Sequence, residues 1–287
     1  MSIDTTLIKK LREKTGAGMA DCKRAISESN SDIEQAVSWL RKRGLALANK
    51  KADRDTEEGV IAINIQDNSG SIIELNSETD FVGKNQHFLS LADKIAQSVH
   101  NNQSNSPQEL LKSGVYKNIP VSALITDAIS MIGENIRLKR FNKISVNKGR
   151  LIKYLHNQLS ENTGSIGVIV SLEGDINKEV EEFGKQIAMH IAALKPISLS
   201  IDDINQDVIK KEREIFREQI LRDGTNKPKE MIEKIIEGKV KKFLGDVVLL
   251  EQMFVLDGKT KVKTAIEKCR SQTKCDFTIT GYLRYEV

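Results

Sequence analysis

Two apolar runs with a polar hinge between them constrain this chain's fold. Val60-Ile61-Ala62-Ile63-Asn64-Ile65 and Ile72-Ile73-Glu74-Leu75 are rich in β-branched residues, and Asp67-Asn68-Ser69-Gly70 between them supplies turn formers. That combination predicts a β-hairpin. The second run stops at Asn76. A helical pattern begins after Gly83, with Phe88, Leu91, Ala92, Ile95, Ala96 and Val99 on one face. Between strand and helix lies Asn76-Ser77-Glu78-Thr79-Asp80-Phe81-Val82-Gly83-Lys84-Asn85, a polar turn carrying an acid and an aromatic side by side. Core building places Phe in a strand or on a helix face. A Phe beside a carboxylate on a short loop is shaped for insertion into another protein. The local alternative is that Asp80, Ser77 or Thr79 caps the next helix and Phe81 folds back as a hydrophobic staple.

The other regions read as follows. Residues 5–42 predict three short helices: Leu7, Ile8 and Leu11 mark the first, which stops at Thr15-Gly16-Ala17-Gly18. Met19, Cys22 and Ile26 line the second, and Asp32 caps a third carrying Ile33, Ala36, Val37 and Leu40. So small a bundle has no room for a ligand cavity, which leaves docking as its use. Residues 43–58 are charged, with little periodicity, and predict a linker or a solvated helix. A second strand–helix unit runs from Ile166–Leu172 into Val180, Phe183, Ile187, Ala188, Ile191 and Ala192, stopping at Lys195-Pro196. The two units form a loose internal repeat. Val208–Arg222 and Lys229–Leu244 predict two charged helices joined at Asp223–Pro228, an antiparallel hairpin in solvent. The tail Phe277–Val287 alternates like a strand. The expected class is α+β, divided as a helical domain 1–45, a linker 46–58, a first core subdomain 59–145 and a second 146–287 with the hairpin inserted at about 200–245.

Composition removes several functions. With 44 basic and 40 acidic residues the net charge is +4, too mild to point to nucleic acid. Aromatics are only 5% of the chain, so Lys50-Lys51 and Lys239–Lys242 lack the interleaved rings of a single-strand binder. No apolar run approaches the roughly 20 residues that cross a bilayer, and Met1-Ser2-Ile3-Asp4 opens no signal sequence. Cys22, Cys269 and Cys275 suggest free thiols in a reducing cytoplasm. His87, His100, His156 and His190 are scattered, and no metal cluster, phosphate loop or nucleophile–base set predicts an enzyme or a resident cofactor. An adaptor for ubiquitin-like proteins, suggested by the helical start, leaves most of the chain unexplained.

Several strings together resemble the translation elongation factor Ts family. Leu11-Arg12-Glu13-Lys14-Thr15-Gly16-Ala17-Gly18-Met19 with Asp21-Cys22-Lys23 is similar to that family's N-terminal domain, and Thr79-Asp80-Phe81-Val82 to its exchange loop. Ile132-Gly133-Glu134-Asn135-Ile136, Ile187–Ala193 with Lys195-Pro196, and Lys227-Pro228-Lys229-Glu230 follow in the family's order. The resemblance implies a ubiquitin-associated-like N-terminal domain, a two-part α+β core and a coiled-coil insertion. It implies a partner, the GTPase elongation factor Tu with GDP, whose Mg²⁺ Thr79, Asp80, Phe81 and Val82 dislodge. It implies further partner contacts at Arg12, Met19, Ile132, Gly133 and His156, with no catalytic or metal-binding residue in this chain. A homodimer and an assembly of two copies with two of the partner both stay open. Ala20 stands where members often carry a second Met. Asn157–Ser165 is longer than the usual turn, which puts the place of His156 in question, and the chain stops at Val287 where many members continue.

Overall fold

The computed structural model describes residues 5–222 and 228–287. In chain order the elements are α1 (Thr5–Thr15), α2 (Met19–Glu28), α3 (Ile33–Lys51), β1 (Glu58–Gln66), β2 (Ser69–Ser77), α4 (Asp80–Gly83), α5 (Gln86–His100), α6 (Pro107–Ser113), β3 (Val115–Tyr116), β4 (Ile119–Pro120), α7 (Val121–Ile132), β5 (Ile136–Ser145), β6 (Gly149–His156), β7 (Thr163–Gly164), β8 (Ile166–Gly174), α8 (Lys178–Leu194), α9 (Gln206–Arg222), α10 (Lys229–Val247), α11 (Val262–Thr273) and β9 (Phe277–Glu286). The fold is mixed, with eleven α-helices and sheets of four, two and three strands among the described residues. Two compact units emerge: Met1–Lys143 with Leu155–Gly167 and Tyr285–Val287, and Ile144–Tyr154 with Val168–Arg284.

The first unit is built on the hairpin. β1 and β2 pair antiparallel from Glu58↔Ser77 to Gln66↔Ser69, and Asp67 takes a left-handed conformation (φ 51°) at the tip. The sheet order is β5-β2-β1-β7. Val60, Ala62, Ile73 and Leu75 pack with Phe88, Leu91, Ala92, Ile95 and Val99 of α5 and with Val121, Ile125 and Ile129 of α7 in one core. Ile72 and Ile73 are both fully buried, so both faces of β2 are covered there. The acid within this run, Glu74, is also fully buried, and bonds Lys139 at 2.7 Å and Arg140 at 2.6 Å on β5.

The helical start of the first unit has its own cluster of Ile8, Leu11, Cys22, Ala25, Ile26, Ala36 and Leu40. Asp32 caps α3 by accepting the Gln35 N–H at 3.0 Å. Of the two readings of residues 43–58, the first half is helix: α3 continues to Lys51. It does so because its second half is packed. A Cβ on Gly44 would touch Ser130 on α7 at 3.3 Å, and Ala48 lies on the hairpin core.

The second unit holds the sheet β6-β8-β9 and the helices α8 to α11. Asn177 caps α8, and Lys195 in the left-handed region (φ 49°) ends it before Pro196. Phe183 on α8 meets Phe254 and Phe277 at ring distances of 6.0 and 6.2 Å. His190 is fully buried. Its Nδ1 accepts the Val255 N–H at 3.1 Å, so its Nε2 donates to Gln252 Oε1 at 2.9 Å. Gln252 in turn donates to the carbonyls of Leu194 and Asp246. The string Ile187–Ala193 thus builds interior. α9 and α10 share Ile220, Ile236 and Val240, with Arg217 bonded to Glu233 at 2.7 Å. Asp223–Lys227, expected as most of their turn, lies outside the described residues.

Candidate functional site

The turn expected at Thr79–Val82 is one turn of helix. Thr79 is extended (φ −130°, ψ 157°) and α4 follows as Asp80-Phe81-Val82-Gly83. Of the side chains of Thr79–Val82, two face the protein and two are exposed. Thr79 is turned inward, Val82 is buried, Asp80 is exposed with Lys84 Nζ 3.5 Å away, and Phe81 is 79% exposed. None of the local alternatives accounts for this. Asn85 caps α5 by accepting the His87 N–H at 2.9 Å, so neither Asp80 nor Thr79 is needed there. The Thr79 hydroxyl makes no cap bond, and an exposed ring is not a staple.

The turn is held from a second loop. Gly133, left-handed at φ 85°, ends α7, and Glu134-Asn135 lead into β5. Glu134 accepts the Thr79 N–H at 3.0 Å on one oxygen and the Thr79 hydroxyl at 2.7 Å on the other. In return Glu78 accepts the Asn135 N–H at 2.6 Å. Arg54 adds an ion pair to Glu78 at 3.1 Å, while the Asn135 amide donates to the Arg54 carbonyl at 2.8 Å. Burial by itself would raise the Glu78 carboxyl. The Asn135 N–H and the Arg54 guanidinium outweigh it and hold the group below the ordinary carboxylate range. Lys51, at the end of α3, donates to the Gly133 carbonyl. Thr79 and Gly133, which the sequence names separately, therefore lie on two adjoining loops, with Ile132 at the end of α7 just before the second. Glu78, Glu134, Asn135 and Arg54 are missed as site residues, since only the fold makes them neighbours.

The remaining expected contacts lie in the same unit. Ile132 is half-buried against the hairpin core. Arg12 is exposed on α1, and Met19, at the start of α2, is 45% exposed. The bend between them reaches α7: a Cβ on Gly16 would run into the terminal methyl of Met131, next to Ile132. His156 is exposed at the end of β6, and its carbonyl accepts both the N–H and the hydroxyl of Ser165. The long segment after it thus returns to its own start. It carries β7, which pairs with β1 on the side away from β2. Lys51, one of the lysines considered for nucleic acid, is the residue bonded to the Gly133 carbonyl. Among the described residues no group of His, Cys, Asp and Glu is arranged to hold a metal, and no helix is long and apolar enough to cross a membrane.

Comparison with known proteins bears on the same segments. A family profile described as Elongation factor TS matches residues 78–287, starting at the turn just described. Elongation factor Ts of Ehrlichia canis is 42% identical over 283 residues, 98% of each chain. That of Bartonella quintana is 41% identical over 288 residues, 99% of this chain and 92% of its own. That of Halothermothrix orenii is 43% identical over 291 residues, covering the whole of this chain and 93% of its own. With its fold-bearing segments matched end to end, this chain belongs to the elongation factor Ts family and is a translation elongation factor of protein biosynthesis.

Proposed function

We propose that this protein is a guanine-nucleotide exchange factor in the cytoplasm. It binds elongation factor Tu carrying GDP, displaces the Mg²⁺ held there and speeds GDP release, with no bond-making chemistry and no cofactor of its own. The observation that carries this reading is Phe81, an aromatic ring left in water on a turn whose backbone is fixed. A GTPase holds its nucleotide through phosphate contacts and a bridging Mg²⁺, often the largest charge in such a site. Phe81 wedges the partner's backbone beside that ion, and Asp80 disturbs its hydration shell.

The energetics require more than one residue. Exchange and binding are reciprocal: the factor weakens GDP by the ratio with which GDP weakens the factor. A 10⁴-fold effect needs about 5.5 kcal/mol of differential binding, whereas burying one Phe supplies roughly 1.5–3 kcal/mol. The remainder falls to Arg12, Met19, Ile132, Gly133 and His156. Helices α1–α3 serve as a docking module like a ubiquitin-associated domain, and α9 with α10 as an antiparallel coiled coil. Support comes from the helical cluster with its exposed Met19, and from the Ile220–Ile236–Val240 seam.

The test is release of fluorescent GDP from elongation factor Tu. Phe81→Ala is expected to slow release by tenfold or more, in line with roughly 1.5–3 kcal/mol for the ring. It leaves the melting temperature of the free protein unchanged, because the ring makes no core contact. Asp80→Ala gives a smaller loss. Undiminished release with Phe81→Ala ends the wedge reading.

A further inference from the structure

We infer that Glu134 and Thr79 are positioning residues for exchange, acting through a reciprocal carboxylate clasp that presents Phe81 to the partner. This inference rests on the exchange reading above. Each of the two loops lends a carboxylate to the other: Glu134 to the Thr79 N–H and hydroxyl, Glu78 to the Asn135 N–H. Both N–H groups belong to residues just outside a regular element, Thr79 before α4 and Asn135 before β5, where no ladder or helix partner is at hand.

A helix of four residues has no stability of its own, so the direction of α4 is imposed from outside. At its far end the N–H groups of Lys84 and Asn85 return to the carbonyls of Phe81 and Val82, and Val82 is buried. At its near end the clasp is the fastening. Phe81 is the exposed middle of a segment tied at both ends. A ring already aimed loses less freedom on insertion than one on a loose loop. The hydroxyl of Thr79 has a defined task here, since it spends its bond on Glu134 and not on capping α4. Arg54 and Lys51 extend the fastening to the end of α3.

Stopped-flow release of fluorescent GDP from elongation factor Tu, using the full-length chain, tests this. Glu134→Ala is expected to slow release about tenfold and Thr79→Val about threefold, the range for the net loss of ordinary intramolecular hydrogen bonds. Thr79→Ser, which keeps the hydroxyl, restores the wild-type rate. Combined with Phe81→Ala, Glu134→Ala adds little, because both changes disable one ring. Fluorophenylalanine at position 81 gives the direct readout: in Glu134→Ala its ¹⁹F resonance moves toward the free amino acid and narrows. Wild-type release with Glu134→Ala, full additivity with Phe81→Ala, or an unmoved ¹⁹F line overturns the clasp. If Phe81→Ala alone releases GDP at the wild-type rate, the wedge reading fails; if the wild-type chain itself leaves GDP release unaccelerated, the exchange reading fails; in either case the ¹⁹F comparison still decides whether the clasp holds the ring.

Discussion

At the scale of single residues the site depends on the strand end that leads into the turn, and Gly59 lies there. It is the second residue of β1, opposite Asn76, with φ 152°, and a Cβ there would overlap the Leu75 carbonyl. Close backbone approach and a conformation that L side chains rarely adopt both require glycine. Gly59→Ala is expected to cost about 2 kcal/mol or more, the scale of backbone strain at such positions, read as a lowered denaturation midpoint. The same variant is expected to slow GDP release, because the displaced strand end carries Ser77, Glu78 and Thr79. A variant with an unaltered midpoint refutes the close approach.

Among the elements, α3 does the most joining. Its first half completes the small helical cluster, and its second half runs along α7 to Lys51, which bonds the Gly133 loop. The contact at Gly44 leaves no room for branching. Gly44→Val is therefore expected to lower stability by about 1–3 kcal/mol through overpacking, despite any gain in helix propensity, with thermal melting by circular dichroism as the check. This packing explains why only part of α3 was legible. Ile33, Ala36, Val37 and Leu40 announce a helix by spacing, whereas Gly44 and Ala48 pack through their smallness and leave no apolar stripe. The strand β5 was hidden for a related reason. Ile136-Arg137-Leu138-Lys139 alternates, but Arg140 breaks the pattern by reaching buried Glu74 and stacking on Tyr285 at 4.1 Å. Phe81 was legible because a turn isolates it. Glu134 was not, because its bond to Thr79 spans 55 residues of chain.

For the whole molecule, two units mean two interiors with separate sensitivities. Unit one carries every expected partner contact, and unit two is organised around neutral His190. Burial holds that imidazole below its ordinary value of 6.5, only partly opposed by the bond to Gln252. The sign follows from linkage. The unfolded chain takes up a proton near pH 6.5 and the folded chain does not. The stability His190 contributes is therefore full above that pH and is lost as pH falls below it toward the lowered folded value. Melting between pH 7.5 and 5 is expected to show this loss, with His190→Gln giving a flatter profile over the same range. A slope unchanged by the substitution places the protonation elsewhere.

The bare ring at position 81 has a consequence in a mixed population. Because the ring is exposed, a copy lacking it is expected to fold and to keep its other surfaces. On the exchange reading, such a copy competes with the intact protein for the GTPase while emptying it more slowly, so that mixing the two in the release assay lowers the rate below that of the intact protein with the variant left out.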